Sequence, residues 1–116
     1  MAGQKPMERY HQILASTIEV MSRSAGADVR KGGKEFLNKM IESSDKILKK
    51  MEKAFSSGIL SEDDSISLAF EIGQVQKHVK TLQDFNLHSP FTHIAVAYIM
   101  GTSQAINTFY NENDVE

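Results

Sequence analysis

The stretch "HSPFTHIAVAYIMGTSQAINTFYN", His88 to Asn111, holds no Asp, Glu, Lys or Arg in a chain of 116 residues that is 24% charged. Three readings compete for it: a membrane anchor, the centre of a fold, or a surface awaiting a partner. Phe91, Ala95, Tyr98, Thr102, Ala105 and Phe109 recur at alternating spacings of four and three, one stripe of a helix. Ile94, Val96, Ile99, Met100 and Ile106 lie largely off that stripe, so the first turns are apolar nearly all round, as in a buried helix. Thr92, His93, Thr102, Ser103, Gln104, Asn107 and Thr108 interrupt the run too often for a lipid-facing span of about eighteen residues. Ala97, Gly101 and Ala105 recur every four residues, a row of small side chains that admits another backbone at close range. The row is expected either inside the fold or against a second chain.

Working outward, Ser89 and Pro90 open this helix as N-cap and first helical residue, giving an expected span of 89–111 before a short, frayed acidic tail over 112–116. Upstream, Leu68, Ile72, Val75, Val79 and Leu82 place a helix over 61–86. Ser61 is its cap, and Glu62, Asp63 and Asp64 lie at the positive end of its dipole. Gly58 supplies the C-cap of the preceding helix, 34–57, whose stripe is Leu37, Met40, Ile47, Met51 and Ala54, widened by Ile41, Leu48 and Phe55. A first helix over 6–24 begins at Pro6 and carries Met7, Tyr10, Leu14, Thr17 and Met21. Between the first two helices, "SAGADVRKGG" has three glycines and basic residues, and residues 25–33 read as a flexible basic loop. No alternating Val/Ile/Thr runs with hairpin turns suggest strands. The expected fold is all-α: one domain spanning 1–116, an antiparallel four-helix bundle.

Composition narrows the function. Cysteine is absent, which removes disulfides, thiolate metal sites and thiol catalysis. Met1 to Glu8 is polar and the next apolar stretch is broken by Glu19, so no signal peptide is expected and the cytoplasm is the expected location. Net charge is −2, distributed as +4 over residues 1–53 and −6 over 54–116. Such a split suggests that the halves complement each other within the fold, or that one end meets a charged partner.

No catalytic constellation emerges. Glu8 and His11 form a single E-x-x-H pair, whereas carboxylate-bridged metal bundles need two plus further inward Glu on facing helices, and none is read in the later stripes. His93 is read as a partly buried, hydrogen-bonded side chain. No P-loop, dinucleotide fingerprint or nucleophile elbow occurs. The run "RKGGKEF", with Arg30, Lys31 and Lys34, places basic residues before a helix N-terminus, an anion-contact pattern short of a P-loop. Lys46, Lys49, Lys50 and Lys53 add a basic stripe on which nucleic-acid binding is an alternative. Glu42, Asp45 and Glu52 interleave it, and a solvated face of intrahelical pairs is the simpler reading.

The run "GTSQAINTFYN" resembles the terminal helix of type III secretion inner-rod subunits in its Ser–Gln pair before an aliphatic residue, although the preceding "HIAVAYIM" is more apolar than that pattern. The resemblance implies a structural subunit of a secretion apparatus. From the residues alone, the expectation is a non-enzymatic, cofactor-free interaction module, such as a secretion-type chaperone, an adaptor or a small subunit of a larger assembly. Its partner is expected to be another protein or a second copy, engaged through Ala97, Gly101 and Ala105 and through Leu68, Ile72, Val75 and Val79 at the edge between 34–57 and 61–86. Five of the six Met, among them Met7, Met40 and Met51, fall in apolar segments, and flexible thioethers suit adaptable contacts.

Overall fold

The computed structural model describes residues 5–113 as three helices, α1 (Pro6–Ser56), α2 (Glu62–Gln83) and α3 (Pro90–Asn113), with no strand among the described residues. The all-α class stands, but the expected helix count of four is corrected to three. Residues 25–32, which read as a flexible loop, are helical, and α1 runs through them with one non-helical residue, Gly33 (φ 62°, ψ −154°). The reason is tertiary. Ala25 and Val29 continue the inward stripe of Leu14, Ile18 and Met21, and both are buried in the core. Burying that turn outweighs the roughly 1 kcal/mol by which each glycine disfavours a helix.

Gly33 is nevertheless where the chain turns. A straight helix of 51 residues would measure about 76 Å at 1.5 Å per residue. The longest dimension of the molecule is 45 Å, so α1 consists of two arms meeting at a sharp break. A positive φ suits glycine, and a Cβ on the adjacent Gly32 would overlap the side chain of Phe36.

The other boundaries follow local chemistry. Ser61 caps α2 by accepting the Asp64 N–H at 3.1 Å, and Ser89 Oγ accepts the Phe91 N–H at 3.2 Å at the start of α3. Gly58 follows the C-cap of α1 with φ 79°. Helix α3 includes Glu112 and Asn113, the first residues of the tail expected to fray; residues 114–116 lie outside the described residues.

The uncharged stretch His88–Asn111 supplies the axis of the bundle. Ten residues of α3 are buried, including Ala95, Val96, Ala97, Ile99, Ala105, Ile106 and Phe109. The first arm of α1 lies antiparallel along it: Gly26 faces His93, Leu14 faces Gly101, and Arg9 pairs with Glu112 at 3.4 Å. The second arm lies along the same helix, with Lys50 Nζ donating to Asn107 Oδ1 at 2.6 Å and the Tyr110 hydroxyl donating to Lys50 O at 2.7 Å. Helix α2 closes the bundle with Leu68, Val75 and Leu82 turned inward. Among the described residues no helix is long and apolar enough to cross a membrane.

Candidate interaction face and the polar tie beneath it

The residues singled out in the sequence fall into two groups. Ala97, Gly101 and Ala105 are fully inside the fold. A Cβ at Gly101 would stand 3.0 Å from Leu14 Cδ1 and 3.1 Å from the Leu14 carbonyl oxygen. The small-residue row is thus the seam where the first arm of α1 approaches α3, and the chain itself fills it. Leu68 and Val75 are likewise core, while Ile72 and Val79 are half-buried at the edges of α2. Ile72 borders a shallow groove between the end of α1 and α2, together with Glu52, Phe55, Ser56 and Ala69.

The basic residues are scattered. Arg30 and Lys31 end the first arm and Lys34 begins the second, all exposed. Lys46, Lys49, Lys50 and Lys53 are exposed on the second arm, but Lys50 reaches across to Asn107 and lies 5.7 Å from the Tyr110 ring centroid. The two halves of the chain, opposite in net charge, meet in one exposed Arg9–Glu112 pair and one His11–Glu71 pair among the described residues.

Glu71 corrects the expectation that no inward Glu lies on the later stripes. It sits three residues after Leu68 and four before Val75, on the core side of α2, and it is buried. Both carboxylate oxygens are occupied: the Tyr98 hydroxyl donates to Oε1, and His11 Nε2 lies 3.2 Å from Oε2. The E-x-x-H residue His11 therefore turns to Glu71, and Glu8 stays exposed. The Tyr98 ring stacks on His78 (centroids 4.1 Å apart, planes 6° apart), and His78 Nδ1 donates to Gln74 O at 2.7 Å. This cluster ties α1, α2 and α3 at one level, with both carboxylate oxygens of Glu71 engaged inside it. Among the described residues no three His, Asp or Glu converge as a metal site.

Burial, then the hydrogen bond to Glu71 and its charge, push the Tyr98 phenol above its ordinary pKa of 10.0. Tyr10, one residue before His11, is raised too, by burial first and the Glu71 charge second. Its enclosed hydroxyl lies near Thr102 but makes no hydrogen bond of normal geometry. His93 is half-buried as expected, with Nε2 donating to Leu87 O at 2.8 Å.

What the sequence reading missed lies on the far side of α2. Ile66 and Phe70 are each 63% exposed. They stand two residues to either side of Leu68, which at about 100° per residue puts them on the face opposite the core. The signal was a second apolar spacing of four, out of phase with the buried stripe. At the other end of the bundle Phe91 and Ile94 are also exposed, one helical turn apart on α3. Comparisons with protein families, with curated proteins and with solved structures return no match.

Proposed function

We propose that the chain is a non-enzymatic helical interaction module, a chaperone, adaptor or small subunit of a larger assembly. The observation that carries this reading is α2, whose inward face is complete while Ile66 and Phe70 stand in water opposite it. Isolated exposed apolar residues are ordinary, but two large ones a turn apart on the outer face of one helix make a patch of the kind that meets partners. The partner surface then moves from Ala97, Gly101 and Ala105, which are packed inside the bundle, to the outer face of α2 and to Phe91 and Ile94. The bundle gives that surface a rigid backing, with α3 at its axis.

Nucleic-acid binding through Lys46, Lys49, Lys50 and Lys53 has less support, because Lys50 is drawn onto α3. The inner-rod resemblance rests on the Ser103–Gln104 pair and the aliphatic residues after it; Gln104 is exposed, whereas Ala105 and Ile106 are inside the bundle.

The test is a photo-reactive amino acid placed in cells at Phe70, at Phe91 and, as a control, at the exposed charged position Lys39. Discrete protein adducts at Phe70 or Phe91 and none at Lys39 are expected. Absence of adducts at both apolar positions contradicts the reading.

A further inference from the structure

The outer face of α2 carries a longer pattern than its two apolar residues. Asp63, Ile66, Phe70, Gly73, Lys77 and Lys80 recur at spacings of three, four, three, four and three, a heptad seam on the side of the helix away from the core. All six are exposed, and Asp63, Lys77 and Lys80 form no ion pair with another described residue. Lys77 and Lys80 are also the only Lys or Arg between Ala54 and Glu116. The strongly acidic half of the chain therefore concentrates its lysines on this one seam.

The seam is complementary to itself when reversed. Place a two-fold axis across α2 at the level between Glu71 and Ile72, and run a second α2 antiparallel to the first. Asp63 then faces Lys80, Ile66 faces Lys77, and Phe70 faces Gly73, each contact occurring twice. Opposite charges meet at the two ends, the lysine stem covers the isoleucine, and the phenyl ring meets the one seam residue without a side chain. Open space surrounds Gly73, since a Cβ there meets nothing within 4 Å. A parallel pairing in register sets Asp63 on Asp63 and Lys80 on Lys80, which the charges oppose.

Building on the interaction reading above, we infer that the outer face of α2 binds a second copy of this chain as an antiparallel, two-fold helix pair. An isologous contact of this kind closes on itself, so it makes a dimer and not a fibre. One helix pair lies at the low end of specific interfaces, so association is weak and is followed up to high chain concentration.

The test uses purified full-length chains at low salt and follows mass by light scattering or sedimentation across concentration. The parent is expected to pass from monomer to dimer. Asp63→Lys alone and Lys80→Asp alone each set like charges opposite one another, and each is expected to weaken the dimer at least tenfold. Mixing the two single variants restores one designed pair and one native pair, so dimers should return in the mixture. The double variant Asp63→Lys/Lys80→Asp should dimerise by itself. Because all these positions are exposed, circular dichroism serves to show that each variant remains folded.

A parent that stays monomeric throughout, or single variants that dimerise as well as the parent, would overturn the inference. Those outcomes leave the broader reading intact if in-cell adducts at Phe70 join a different protein.

Discussion

Helices α3 and α2 are close in length and adjacent in space, yet they divide polar and apolar residues in opposite ways. From Pro90 to Tyr110, α3 carries no charge; its buried residues are apolar apart from Thr92 and Thr102, and the bare backbone of Gly101 stands against Leu14. Helix α2 keeps Asp64 and Glu71 inside and presents Ile66 and Phe70 outside. An element that served only the core would be expected to follow the first pattern, because burying a carboxylate costs free energy unless it is fully partnered. On the inside of α2 Glu71 is partnered, through Tyr98 and His11, while outside Ile66 and Phe70 stand in water. The difference separates a helix that buries almost no polar group along the bundle axis from one that buries carboxylates and turns Ile66 and Phe70 to water. On α3 the exposed apolar pair Phe91 and Ile94 is confined to the first turns.

The sharpest way to break the comparison is at the seam of α3. Gly101→Leu drives a side chain into Leu14 and its carbonyl, and even the first added carbon already sits at 3.0 to 3.1 Å. The expected loss is about 3 kcal/mol or more in denaturant unfolding, at the upper end for overpacking. Unchanged stability would mean that the arm of α1 does not press on α3 there.

Glu71→Ala is expected to cost about 1–3 kcal/mol, because Tyr98 loses its acceptor inside the bundle. Glu71→Gln, which keeps an acceptor, should cost less. Equal stability for both variants and the parent would show that the tie contributes nothing.

Tyrosine supplies a prediction of the other sign. The Tyr10 hydroxyl is enclosed without a partner, so Tyr10→Phe should leave stability unchanged or raise it by up to about 1 kcal/mol. The same residue gives a pH dependence. Tyr10 and Tyr98 hold their protons more tightly in the folded chain than at the ordinary 10.0, so folding favours the neutral phenols. That contribution is fully present below about pH 10 and is lost as pH rises beyond it, because the unfolded chain then releases protons that the folded chain retains. Unfolding midpoints should fall as pH rises above about 10, and fall less steeply in Tyr10→Phe. Superimposable profiles for parent and variant would contradict the buried state of Tyr10.

The smallest effect belongs to the outer face. Gly73→Ala meets no neighbour and sits within a helix, so the folded chain should gain about 0.5–1 kcal/mol from helix propensity. A loss of stability in the monomeric chain would mean that Gly73 has an intramolecular role.

The legible parts of the fold were those with local causes. The Ser61 cap with Asp64, the Gly58 turn and the Ser89–Pro90 start each depend on a few adjacent residues, and the structure places helix boundaries at all three. The region 25–32 depends instead on distant ones. Its glycines and charges speak for a loop, and only the burial of Ala25 and Val29 against the rest of the bundle makes it helix. Glu71 had a readable signal in its spacing from Leu68 and Val75, but the donors that make its burial tolerable come from α1 and α3 and appear only in three dimensions. The outer seam was present as a periodicity too. It was obscured because Ile66 and Phe70 share a segment with a stronger stripe, and which of two stripes faces the core is decided by the whole bundle.

The most direct measurement of what the outer face of α2 does uses the absence of cysteine from the chain. Asp63→Cys and Lys80→Cys are made separately, mixed in equal amounts and mildly oxidised, and the products are resolved by mass. In an antiparallel pair these two positions lie opposite each other, so a thiol from each variant can meet. Two copies of the same variant instead hold their thiols several helical turns apart, beyond the reach of a disulfide. The expected result is a mixed disulfide well in excess of either homodisulfide. A statistical mixture, or no covalent dimer at all, would contradict the self-complementary seam.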